Sequence, residues 1–123
     1  MARTKASGIA IRDLEIGTGP EADRKSVVSV HYRLFLNRGD LVQDTWSDGC
    51  PHTIDLGQRE AIDGLRYGLV GMRVGGRREL IVGPHLAYRE SGVAGIIPPN
   101  AVLRFEIELL QVFEKARPRT ASS

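Results

Sequence analysis

The chain has 123 residues, enough for one hydrophobic core and not for two. Lys and Arg outnumber Asp and Glu by only 17 to 15, and much of the basic charge sits at the ends, in Arg3 and Lys5 and in Lys115, Arg117 and Arg119. That distribution argues against a nucleic-acid surface, which needs a basic stripe on the folded body. No apolar run reaches signal or membrane-spanning length. The single cysteine, Cys50, excludes an intrachain disulfide and fits a reducing compartment, so a cytoplasmic location is expected.

In chain order, residues 1–7 read as a flexible tail, 8–113 as one folded domain and 114–123 as a polar C-terminal tail. Ile9-Ala10-Ile11 and Leu14-Glu15-Ile16 are short extended pieces whose apolar phase slips once between them, which predicts a bend or bulge. Ser26 to Leu36 alternates strictly. Val28, Val30, Tyr32, Leu34 and Leu36 share one face, and Ser29, His31 and Arg33 share the other. Asn37-Arg38-Gly39-Asp40 is a hairpin turn into a return strand at Leu41 to Asp44, which the loop Trp46 to Pro51 interrupts before a short strand ending at Leu56. Trp46 either leans over a pocket rim or caps the sheet edge.

The one helix expected runs from Glu60 to Val70, with Ile62, Leu65 and Leu69 on one face and Gly64 and Gly68 limiting its length. Arg77 to Val82 is a strand, and Val102 to Phe113 is the last, with Leu103, Phe105, Ile107 and Leu109 inward. The sum is an α+β fold: an antiparallel sheet of about five strands packed on one short helix, because too few crossover helices exist for a parallel sheet. Between the last two strands lies a long glycine-rich loop, Gly83 to Asn100. It is apolar rather than charged, and it carries Tyr88, Ile96 and Ile97, the composition of a functional flap.

Familiar catalytic apparatus is missing. Gly71-Met72-Arg73-Val74-Gly75-Gly76 lacks the Lys-Ser/Thr of a phosphate loop and follows a helix where a strand is required. His31, His52, His85 and Cys50 lack metal-ligand spacing, so no metal or cofactor is expected. There is no Gly-x-Ser-x-Gly elbow, and nothing at Cys50 marks it as an activated nucleophile. An apolar, tyrosine-bearing pocket without a nucleophile fits a binding module, or an enzyme whose reaction needs no proton transfer.

Four blocks resemble the FKBP-type peptidyl-prolyl isomerases, in family order. They are Val28-Ser29-Val30-His31-Tyr32; Ile62-Asp63-Gly64-Leu65 with Gly68 to Gly76; Pro84-His85-Leu86-Ala87-Tyr88; and Gly95-Ile96-Ile97-Pro98-Pro99-Asn100-Ala101 running into Phe105 to Leu110. The resemblance covers residues 8–113 and implies a twisted antiparallel sheet wrapped around one short helix. It also implies rotation about X–Pro bonds as the activity, with proline-containing peptides and unfolded chains as substrates. A monomer is implied, and macrolides such as rapamycin are implied as ligands at reduced affinity.

By the same resemblance, Tyr32 and Phe105 are aromatic walls, Tyr88 a hydroxyl donor to the substrate backbone, and Ile62 a backbone N–H donor at the helix start. Glu60 offers a carbonyl beside it, with Ala61 between. Val42, His52, Leu65, Ile96 and Ile97 complete the lining. The residues themselves also permit plainer roles, with Tyr32, Phe105 and Ile62 as core and Tyr88 as a loop anchor. Five positions differ from the family pattern: Leu65 and His52 stand where aromatics are usual, Val42 in the place of a phenylalanine and Arg89 in that of the glycine after the flap tyrosine, and Gln43 aligns with a family aspartate. Asp44, one residue on, takes that catalytic place only if a bulge turns it inward. An active isomerase and a non-catalytic or weakly active binding or chaperone module therefore both remain as readings of the sequence.

Overall fold

The ten alternating residues of β3 (Val27–Leu36) form the spine of the molecule. The computed structural model describes residues 2–6, 8–36, 39–58, 62–88 and 92–113. Glu60 and Ala61, the hairpin residues Asn37 and Arg38, and the segment 114–123 lie outside the described residues.

The other strands are β1 (Ala2–Ala6), β2 (Ile9–Glu15), β4 (Leu41–Asp44), β5 (His52–Asp55), β6 (Arg77–Val82) and β7 (Leu103–Phe113). All pair antiparallel in one sheet of order β1-β2-β6-β7-β3-β4, with β5 also on β3. The expected antiparallel sheet on a short helix is what forms, with seven strands rather than about five. One of the additional strands comes from the segment read as a tail: Ala2–Ala6 pairs with β2 through a turn at Gly8, whose φ of 91° suits glycine. The free edge of β2 supplies hydrogen-bonding groups that a composition reading does not register. The phase slip in β2 is a bulge, with register shifting between Asp13 and Glu15.

The far edge of β3 is shared. Its first half pairs with β5, from Val27↔Asp55 to Val30↔His52, and its second half with β4, from Arg33↔Asp44 to Phe35↔Leu41. Between β4 and β5 the chain leaves the edge in a single helical turn, α1 (Thr45–Asp48), where a plain loop was expected. Asp44 caps this turn, accepting hydrogen bonds from the N–H groups of Trp46 and Ser47 at 3.0 and 3.3 Å. Gly49 closes it in the left-handed conformation, with φ 78°.

The main helix α2 (Asp63–Leu69) lays Leu65 and Leu69 on the concave face of the sheet. There they join Val28, Val30, Leu34, Phe105 and Ile107 in the core. Gly64 and Gly68 do more than limit this helix. A Cβ on Gly64 would collide with Val82 Cγ1, and one on Gly68 with Leu80 Cδ1. The two glycines let the helix backbone sit directly on β6.

Arg78 locks this contact from within the core. Its Nε donates to Asp13 Oδ1 at 2.6 Å, and one terminal nitrogen donates to the carbonyls of Gly68 and Val70 at 2.8 and 3.0 Å. A buried guanidinium with these partners ties β2, β6 and the end of α2 together. Arg78→Met keeps the bulk but leaves Asp13 and both carbonyls unpaired. It is expected to cost roughly 3 kcal/mol, seen as a lower urea midpoint at unchanged slope. A loss below about 1 kcal/mol would mean that the helix end does not depend on this side chain.

Candidate functional site

Tyr32 projects from the middle of β3 into the concave face and is 5% exposed. It stands at the break between β4 and β5, where its backbone has no strand partner on that edge. A side chain takes the partner's place. The Tyr32 N–H donates to Thr45 Oγ1 at 2.8 Å, and the buried Thr45 hydroxyl lies 2.7 Å from His31 Nδ1. The first residue of α1 thus completes the ladder and fixes where Tyr32 points.

The ring of Tyr32 sits between two others. Phe105 from β7 and His52 from β5 each meet it edge-on, with centroids 5.8 Å away and interplanar angles of 61° and 83°. Its hydroxyl donates to Gln43 Oε1 at 2.8 Å. Gln43 reaches it because β4 bulges. Register passes from Leu34↔Gln43 to Phe35↔Leu41, so Val42 is the extra residue. Val42 packs against the core, while Gln43 shares the inward face with Leu34.

The bulge settles the choice between neighbours against Asp44. Asp44 pairs with Arg33 on the outward face, at 3.2 Å, and caps α1. Burial would raise its pKa, but hydrogen bonds from Arg33 and from the N–H groups of Ser47 and Trp46 outweigh it and hold the carboxyl below its usual range. The catalytic place expected for Asp44 is therefore empty of it, and the neutral amide of Gln43 stands beside Tyr32 instead. Trp46 is also outside the concave face. It stacks on His31 at 5.1 Å with Arg33 4.8 Å over its ring, capping the sheet edge.

Tyr88 follows a 3-10 turn, Pro84–Leu86, and packs half-buried against the core. Its hydroxyl has no hydrogen-bond partner among the described residues, unlike that of Tyr32. Burial raises its pKa. For Tyr32, burial first, then the nearby Tyr88 and Asp48, push the pKa to about 12. Tyr88 and Asp48 therefore share the neighbourhood of the Tyr32 phenol.

Ile62 is the N-cap residue of α2. Its carbonyl accepts from Leu65 and Arg66, no side chain caps the helix, and its own N–H has no acceptor among the described residues. Leu65, one turn in, is 6% exposed and lies in the core below. The flap pair divides. Val93 and Ile97 exchange backbone hydrogen bonds, both 2.8 Å, which turns Ile97 into the core and leaves Ile96 56% exposed at the tip. The two isoleucines, both given lining places by the resemblance, thus lie in different environments, one buried and one exposed.

Tyr32, Phe105, His52, Gln43, Val42 and Leu65 thus come from one concave face, with Tyr88 and Asp48 beside Tyr32. Sequence reasoning missed Thr45 and Asp48. The available signal was the Asp44-to-Gly49 spacing, an N-cap and C-cap bracketing one helical turn. Among the described residues no three His, Cys, Asp or Glu side chains gather in a way that could hold a metal ion, and no helix is long and apolar enough to cross a membrane.

Comparison with known proteins places residues 19–110 in the family model described as FKBP-type peptidyl-prolyl cis-trans isomerase. The chain is 39% identical over 107 residues to the FK506-binding protein of Neisseria meningitidis serogroup B, covering 87% of this chain and 98% of that protein. It is 38% identical over 107 residues to the 46 kDa FK506-binding nuclear protein of Spodoptera frugiperda. There it covers 87% of this chain but spans only 26% of the relative. The N-terminal domain of FKBP42 from Arabidopsis thaliana superposes with a TM-score of 0.86 at 27% identity, over 93% of each chain.

The raised phenol pKa gives a pH signature. Unfolded tyrosine ionises near 10, and Tyr32 in the folded chain only near 12. Its contribution to stability is therefore complete below pH 10 and is lost as pH rises from 10 through 12. Urea midpoints measured across that range should fall less steeply in Tyr32→Phe than in the parent. Parallel curves would count against a buried, neutral Tyr32.

Proposed function

Because the chain belongs to the FKBP-type peptidyl-prolyl cis-trans isomerase family, we propose that it accelerates rotation about X–Pro bonds in peptides and unfolded chains, using the concave face around Tyr32. The uncatalysed barrier is about 18–20 kcal/mol. At its top the amide is twisted, has lost resonance and carries a less polar carbonyl. An apolar cage of Phe105, Val42, Leu65 and the Tyr32 ring favours that form over the planar, charge-separated one. No nucleophile or metal enters such a reaction.

The observation that carries this reading is the difference between the two tyrosines. Gln43 holds the Tyr32 hydroxyl, so Tyr32 is a fixed wall. The half-buried Tyr88 hydroxyl has no described partner and is available to a substrate carbonyl. The Ile62 N–H, with no acceptor among the described residues, is a second donor at the edge of the same cage. Glu60 and Ala61, next to it in sequence, are assigned lining roles by the family resemblance alone.

A second reading, a binding or chaperone module with weak or no isomerase activity, is favoured by particular residues. Leu65 and His52 replace aromatics usual in the family, and Gln43 is neutral. Losing an aromatic platform at Leu65 costs about 1 kcal/mol of binding, which lowers affinity for macrolides such as rapamycin or FK506 without removing the cage. We place the protein in the cytoplasm as a monomer; its exposed free thiol, Cys50, suits a reducing compartment.

A protease-free isomerisation assay on short X–Pro peptides separates the two readings. Acceleration that rapamycin abolishes supports the isomerase, and Tyr88→Phe should then lower kcat/KM about fivefold, the worth of one hydrogen bond. No acceleration from folded protein would move the assignment to the binding module.

A further inference from the structure

Away from the Tyr32 face, the outward side of α2 and the turn after β5 enclose a trough of about 580 Å³. Its floor is Leu56 and Val70, its wall Tyr67, and its rim Arg24, Lys25 and Arg66. It lies beyond the opposite end of β5 from His52, and Tyr67 and Val70 are at the opposite end of α2 from Ile62. It shares no residue with the cage described above.

Three features define what it would hold. The first is charge: among the described residues lining it, three are cationic and none is acidic. Arg66 is partly answered by Asp63 at 3.1 Å, and Lys25 interacts with Asp23 nearby. Arg24 makes no ion pair or hydrogen bond with any described residue. The second is apolarity beneath the charge. Tyr67 is 45% exposed on an otherwise polar stretch of the helix surface, beside Val70 and the buried Leu56. The third is shape. Arg24, Lys25, Gly57 and Tyr67 are all exposed, so the walls do not enclose a small ligand as a cofactor pocket does. An extended chain lying across the trough uses all three.

We propose that this trough is a second binding site, for a peptide segment in which acidic residues flank large apolar ones. The apolar side chain would lie on Tyr67, Leu56 and Val70, and carboxylates would meet Arg24, Lys25 and Arg66. Duplex nucleic acid, met through its phosphates, would leave the apolar floor unused. The sequence 114–123 carries Lys115, Arg117 and Arg119 against one Glu114, the same sign of charge as the rim, and is no match for it. This site does not rest on the isomerase reading.

The test uses the full chain and a panel of fluorescent, proline-free peptides in which Glu is permuted among Leu and Phe, with matched peptides carrying Lys for Glu. The acidic peptides should bind saturably and the Lys versions should not. Binding should weaken about tenfold or more in the doubly substituted Arg24→Glu, Lys25→Glu chain and in Tyr67→Ala, a change of about 1.4 kcal/mol. All three positions are exposed, and thermal melts check that the variants stay folded. A saturating X–Pro peptide should leave binding unchanged. Several outcomes would overturn the proposal: no binding by any acidic peptide, equal binding of the Lys set, survival of the charge reversal, or displacement by the X–Pro peptide. So would sedimentation showing copies that associate and that separate both in Ile16→Lys, in the exposed Leu14-Glu15-Ile16 segment, and in Tyr67→Ala, because a second copy would then be the occupant.

Discussion

The hydrogen bond from the Tyr32 N–H to the Thr45 hydroxyl is what the concave site depends on. β3 is too long for either neighbour on its far edge, so β5 and β4 each cover half. A gap between two partial strands would leave a buried backbone donor unpaired, at a cost of about 1–3 kcal/mol. Thr45 removes that cost, and α1 exists to deliver it. Asp44 and Gly49 hold the turn at its two ends, and Asp48, at the end of that turn, is close enough to raise the Tyr32 pKa. One threonine thereby links the sheet, the turn and the orientation of the phenol.

The floor of the site depends on an equally local arrangement. Gly64 and Gly68 bring α2 so close to β6 that no Cβ fits between them, and Leu65 is set at its depth by that approach. A helix of seven residues has little stability of its own. Arg78 supplies what its C-terminal carbonyls lack, from inside the core rather than from solvent. The glycines that weaken the helix as an isolated segment are the residues that let it pack.

Much of this was legible in the sequence. Strict alternation in Val28 to Leu36 and Leu103 to Leu109 marked both central strands and their inward faces, and the apolar spacing of Leu65 and Leu69 marked the helix. These signals are strong because each reports burial on one face over many residues. What escaped was decided by single residues. The bulge at Val42 turns Gln43 inward and Asp44 outward, and two neighbouring polar side chains on a four-residue strand do not reveal which. The separation of Ile96 from Ile97 comes from a backbone exchange between Val93 and Ile97 that leaves no periodic trace. The strand Ala2–Ala6 has too little apolar content to signal itself and forms on an edge that β2 provides.

The two faces of the sheet divide the chemistry. Outside, Arg12, Arg33, Asp44, Glu79, Arg104 and Glu106 form a chain of ion pairs between 2.6 and 4.0 Å. Pairs this exposed stabilise little individually, but they keep every one of those charges on the solvent side. Inside, the groups that meet Tyr32 are Phe105, the His52 ring and the Gln43 amide. A carboxylate in place of Gln43 would put a fixed negative charge against a phenol already pushed to about 12. With the amide the contact is neutral, and the hydroxyl is held without bringing an ion into the cage. The isomerisation proposed for this face needs a site low in polarity with a few fixed donors. Gln43, Leu65 and the outward turn of Asp44 together place no ionised group against the Tyr32 phenol.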